Sequence, residues 1–142
     1  MRRRTPANPA NGLDRVLARK FRADSHAPGR ARSALGALNE TLEERTAEDV
    51  RLLVSELVTN SLRHTGTSEI ELEVWRSQGT VRVEVADRGA GFAVPDEPQP
   101  GQASGWGLFM VDRLANRWGV DSNDSTRVWF ELDRARLPLR SA

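Results

Sequence analysis

Leu52-Leu53-Val54-Ser55-Glu56-Leu57-Val58-Thr59-Asn60-Ser61-Leu62-Arg63-His64 decides how the rest of this chain is read. Val50, Leu53, Val54, Leu57, Val58 and Leu62 recur with helical period, which predicts an amphipathic helix with one apolar face. At roughly 100° per residue, Glu56 and Asn60 stand one above the other at the border of that face, with His64 one turn further along. A carboxylate beside a carboxamide at the edge of a core can hold a divalent cation and accept a proton. The same pair also makes an ordinary polar border on a solvated helix, so the choice rests on other segments.

Glu69-Ile70-Glu71-Leu72-Glu73-Val74-Trp75 alternates charged and apolar residues, and Thr80-Val81-Arg82-Val83-Glu84-Val85 repeats the alternation after the turn Arg76-Ser77-Gln78-Gly79. An antiparallel hairpin follows, with Ile70, Leu72, Val74, Val81, Val83 and Val85 toward the helices and the glutamates meeting Arg82 across an exposed face. Where the second strand should end stands Asp87-Arg88-Gly89-Ala90-Gly91. Gly89 and Gly91 let backbone approach a ligand. Asp87, which accepts hydrogen bonds and donates none, suits an exocyclic amine such as that of adenine. An ordinary turn has this composition too.

Residues 92–104 hold three prolines and little periodicity, which reads as a lid over a site. Gly105-Trp106-Gly107-Leu108 follows, and Leu108, Val111, Ala115 and Trp118 then recur at helical spacing. Glycine at a helix entrance leaves free backbone N–H groups suited to phosphates, or simply starts a helix.

Upstream, Leu13 to Asp24 alternates through Leu17, Arg19 and Phe21 as an edge strand. Asp24-Ser25-His26-Ala27-Pro28 then opens a structural helix carrying Ala31, Leu35, Leu38 and Leu42 and ending near Thr41. Thr46 with Asp49 predicts a capping box at the start of the central helix, which closes at Thr65-Gly66. Downstream, Trp118-Gly119-Val120 and a polar turn over 121–125 lead into a strand Thr126 to Leu132, with Val128, Phe130 and Leu132 buried.

Composition narrows the classes. A chain of 142 residues suits one domain. Lys+Arg 21 against Asp+Glu 20 gives no overall field for nucleic acid or membrane. Cys is absent, which excludes disulfides, thiolate metal sites and a cysteine nucleophile and agrees with a cytoplasmic setting. No apolar run is long enough to span a bilayer, and none follows the basic start Met1-Arg2-Arg3-Arg4 as a secretory signal would require. Residues 1–12 read as a disordered basic tail, 13–133 as the domain and 134–142 as a C-terminal tail.

Glu56-Leu-Val-Thr-Asn60-Ser-Leu-Arg-His64, Asp87-Arg-Gly89-Ala-Gly91 and Gly105-Trp-Gly107-Leu108, in that order, resemble the GHKL ATPase superfamily of histidine kinases, type II topoisomerases and heat-shock chaperones. Within it, the compact size and the Ser-Glu-Leu-Val-Thr-Asn and Val-Trp-Phe-Glu-Leu wording look like the anti-sigma-factor serine/threonine kinases. The resemblance implies an α+β fold: a two-layer α/β sandwich, its sheet mixed but mostly antiparallel, with helices on one face (a Bergerat-type ATP-binding fold). It implies ATP and Mg2+ as cofactors, with Asn60 as metal ligand and Glu56 as general base. Asp87 would read the adenine amine, and Gly89, Gly91, Gly105, Gly107 and Leu108 would shape the pocket and its closing lid. His64 would cap the helix or line the pocket rather than catalyse, and Arg63 would touch phosphate or face solvent.

One departure stands out: relatives often carry Gly-Lys-Thr before the last strand, where this chain has Ser125-Thr126-Arg127, so that Thr126 fills the role only after a one-residue shift. The function implied is an ATP-dependent kinase that phosphorylates an anti-anti-sigma protein and captures a sigma factor, a homodimer without direct nucleic-acid or membrane contact. The alternative is a nucleotide-responsive protein-binding module that transfers nothing. A histidine-kinase fragment is disfavoured, because no helical phosphoacceptor segment precedes the domain.

Overall fold

A computed structural model describes residues 12–64, 69–87, 106–122 and 126–133. Five strands form one sheet in the order β1-β2-β3-β5-β4, and every neighbouring pair is antiparallel. The strands are β1 (Asp14–Arg22), β2 (Glu69–Arg76), β3 (Val81–Asp87), β4 (Arg117–Ser122) and β5 (Thr126–Leu132). The helices are α1 (Ala27–Leu35), α2 (Glu44–His64) and α3 (Trp106–Leu114), with α2 packed against α1, α3 and β3. This is the α+β sandwich expected, although its described sheet is wholly antiparallel rather than mixed.

The layers follow from two periodicities. The central helix buries Val50, Leu53, Val54, Leu57 and Val58, each at 2 % exposure or less. The sheet answers with Ile70, Leu72, Val74, Val81, Val83, Phe130 and Leu132, all at 0 %. Each fully buried aliphatic side chain contributes about 1.5–3 kcal/mol, so this seam between helix and sheet is where most of the stability resides.

Several boundaries differ from the sequence expectation. The first helix ends at Leu35 and tightens into a single 3-10 turn over Gly36–Leu38 rather than continuing to Thr41. Leu38 and Leu42 are still buried, so the apolar stripe was real and only the helical path changed. α2 starts at Glu44, two residues before the expected cap. Thr46 lies inside it, fully buried, with its hydroxyl donating to Glu43 Oε1 at 3.1 Å. Trp118, counted above as the end of the last helix, belongs instead to β4, a strand that its short length and its Gly119, Asp121 and Ser122 conceal.

The face of the sheet away from the helices also corrects the reading. Glutamates of β2 were expected to meet Arg82, but Trp75 stands opposite it. Arg82 donates to Glu84 on its own strand at 2.9 Å and to Glu131 on β5 at 2.8 Å. Its guanidinium lies 4.3 Å from the centroid of the Trp129 ring, a cation–π contact. Nor is this face wet at its centre, because Arg82, Glu84 and Trp129 are each 1 % exposed. Burial pushes the Glu84 carboxyl above its usual value against the opposing pull of Arg82 and Arg127. Gly119 is required here, since a Cβ on it would stand 2.8 Å from Trp129 Nε1 and 2.9 Å from two ring carbons.

Candidate functional site: the central helix and two strand ends

The β3–β5 register brings together two residues that the sequence keeps far apart. Asp87 closes β3, Thr126 opens β5, and the two are direct partners across the ladder. Both are buried, at 3 % and 2 % exposure. Among the described residues the Thr126 hydroxyl has no hydrogen-bond partner, an uncommon condition for a buried donor and one that normally costs about 1–3 kcal/mol. A carboxylate acceptor beside a hydroxyl donor matches the edge of an adenine, which offers an amine and ring-nitrogen acceptors side by side. These residues therefore fit the purine that the motifs suggest.

Neighbouring Arg127 takes no part in that edge. Successive residues of a strand point to opposite faces. Arg127 accordingly turns to the outer face, where its Nη1 donates to Glu84 at 2.9 Å. The departure from Gly-Lys-Thr at 125–127 thus leaves a threonine on the inner side, opposite Asp87, and sends the added cation away from it.

Glu56 and Asn60 occupy successive turns of α2 as expected, with Glu56 half-buried and Asn60 5 % exposed. Gly107, in the first turn of α3, packs on the backbone of Glu56: a Cβ added there would meet the Glu56 carbonyl oxygen at 3.4 Å and its Cβ at 3.5 Å. The start of α3 therefore lies against the helix that carries the acid–amide pair, with room there for a methyl but for little more. Leu108, at 0 % exposure, is part of the core beneath rather than the lining of an open space. At the far end of α3, Trp118 Nε1 donates to Asp112 Oδ1 at 2.9 Å and ties that helix to β4. No motif announced this clip; two polar groups six residues apart carry no signal until the chain turns back.

Gly89, Gly91 and Gly105 lie outside the described residues, as do Arg88, the lid over 92–104, the helix end at 65–66 and both expected tails apart from Gly12. Among the described residues no three carboxylates or histidines gather as a metal cluster. Asn60 would hold Mg2+ as a single protein ligand, an arrangement this ion accepts when phosphates and water complete its shell.

Residues 21–132 match the family model described as "Histidine kinase-like ATPase domain", and the chain belongs to that family. No curated protein matches it. Among solved structures it resembles the Erythrobacter litoralis EL346 blue-light activated histidine kinase, with 25 % identity and a TM-score of 0.56 over 75 % of this chain and 40 % of that one. The histidine kinase domain of the same protein gives 22 % identity and a TM-score of 0.53 over 89 % of this chain and 70 % of that one. The Acinetobacter baumannii histidine kinase AdeS gives 12 % and 0.52 over 84 % and 68 %. This chain spans less than half the length of the first of these. The domain class suggests ATP binding, and no described helix is long and apolar enough to cross a membrane.

Proposed function

We propose that this domain binds ATP with Mg2+ and acts as a protein serine/threonine kinase of the anti-sigma type, phosphorylating a hydroxyl on a small antagonist protein and thereby regulating transcription. The observation that carries the nucleotide half is the Thr126 hydroxyl, without a partner among the described residues, on the residue paired with Asp87 at the end of a buried strand pair. In this reading Asp87 accepts from the adenine amine and Thr126 donates to the ring edge. The half-buried Glu56 carboxylate orients the incoming hydroxyl and takes its proton. Mg2+, when bound, would neutralise phosphate charge, and in this reading Asn60 would hold it. Gly107 keeps the start of α3 close to Glu56. Choice of partner, capture of a sigma factor, homodimer formation and a cytoplasmic setting belong to the same proposal and rest on the sequence resemblance.

The test is transfer of labelled phosphate from ATP to candidate antagonist proteins, with Glu56→Gln beside the wild type. Glu56→Gln should bind nucleotide within about threefold of wild type and transfer label about a hundredfold or more slowly, the usual scale for loss of a general base. Equal transfer by the two proteins would remove Glu56 from its role. Nucleotide binding without transfer to any partner would leave the second reading, a nucleotide-responsive binding module.

A further inference from the structure

Strand β1 is one of the two edges of the sheet, paired with β2 on one side only among the described residues. Seven of its nine residues are exposed, in the pattern eeeBeeeBe, and among the described residues no strand pairs with its outer side. An edge strand leaves alternate backbone N–H and C=O groups without ladder partners, and such an edge either carries a device that keeps other strands away or receives one. The charges here are of one kind: Arg15, Arg19, Lys20 and Arg22 stand against a single carboxylate, Asp14.

Part of that charge is balanced within the sheet. Arg15 pairs with Glu73 at 2.9 Å and Lys20 approaches Glu71 at 3.7 Å. Arg19 and Arg22 have no carboxylate within ion-pair reach among the described residues, and the Arg19 guanidinium instead donates to the neighbouring Ala18 carbonyl at 2.9 Å. Val16 adds an exposed apolar side chain, 40 % accessible, at the bulge between Arg15 and Leu17. We infer that β1 is a docking edge for an extended acidic segment of a partner protein, which adds a sixth strand beside it and places its carboxylates against Arg19 and Arg22.

A second copy of this chain fits the edge poorly. Two β1 strands laid together would each bring four cations and one carboxylate to the same ladder, and like charges facing one another across strands are unfavourable. Charge complementarity selects an acidic partner, while the open backbone selects a strand over a helix or a structureless polyanion. This inference stands apart from the nucleotide reading, because it uses no residue of the pocket.

The test uses the full chain and a nine-residue peptide alternating glutamate with valine or threonine. Two controls accompany it: the same peptide N-methylated at alternate amides, and a single-stranded oligonucleotide. The acidic peptide should bind, slow amide exchange in β1, and weaken about tenfold as salt rises from about 50 to about 300 mM. The double variant Arg19→Glu, Arg22→Glu should lose the acidic peptide and take up a lysine counterpart, a swap that a merely unfolded strand would not produce. Failure of the acidic peptide to bind would overturn the inference. So would equally tight binding of the methylated peptide or the oligonucleotide, or self-association that the double variant abolishes. None of these results depends on ATP.

Discussion

Replacing Thr126 by Val separates what the hydroxyl does for folding from what it does for a ligand. The two side chains have nearly the same shape, so packing at this 2 % exposed position is preserved and only a hydroxyl is exchanged for a methyl. That hydroxyl is buried without a partner among the described residues, a condition worth about 1–3 kcal/mol against the fold. Thr126→Val should therefore be more stable by about 1–2 kcal/mol, a rise of roughly 3–8 °C in the melting midpoint for a domain of this size. Adenine-nucleotide binding should move the other way. Loss of one neutral hydrogen bond of about 0.5–1.5 kcal/mol weakens affinity roughly threefold to tenfold, while Thr126→Ser keeps most of it. Circular-dichroism melts and calorimetric titration with ATP and Mg2+ read both quantities on one preparation. A valine variant that melts lower would show that the hydroxyl has a stabilising partner after all; one that binds ATP as tightly as wild type would remove Thr126 from the pocket.

Gly119→Ala forces a methyl to within 3 Å of the buried Trp129 indole. Overpacking of this kind costs about 1–3 kcal/mol, readable as an earlier urea midpoint, and unchanged stability would mean the indole moves freely. At Gly107 the contacts with Glu56 begin at 3.4 Å, so alanine should be accepted. Valine there should push α3 from α2, at about 1–3 kcal/mol of stability and a several-fold loss of nucleotide affinity. The Asp133 carboxyl is held below its usual 3.8, chiefly by hydrogen bonds from Arg117, so its contribution is complete above that value and disappears as pH falls through the lower, folded one. Asp133→Asn should accordingly flatten the decline of melting temperature between about pH 5 and pH 2 and show no steeper slope elsewhere.

The parts of the fold that were legible before the structure are those where one periodicity runs long enough to dominate. The stripe from Val50 to Leu62 and the alternation from Glu69 to Val85 both placed their buried residues on the correct side. What misled was brevity and context. Trp118 fell on a helical spacing by coincidence, and nothing local marks a six-residue strand containing glycine and aspartate. Arg82 and Glu84 alternate as solvent-facing residues should, and only the neighbouring strands, with Trp129 and Glu131, make that position a buried ion pair. At the site, Asp87 was visible because glycines follow it. Thr126 came through resemblance, and its placement opposite Asp87 is a property of register that no single strand encodes.

That register has an evolutionary corollary. Because β3 and β5 are neighbours, the chain leaves the ladder at Asp87 and rejoins it opposite that residue at Thr126, having built α3 and β4 in between. The entropy of closing such an excursion grows only with the logarithm of its length. Residues in the connection from β3 to α3 can thus be gained or lost at slight thermodynamic penalty while Thr126 and Asp87 stay paired. Descendants of this architecture are free to vary that connection without renegotiating the strand pair it spans.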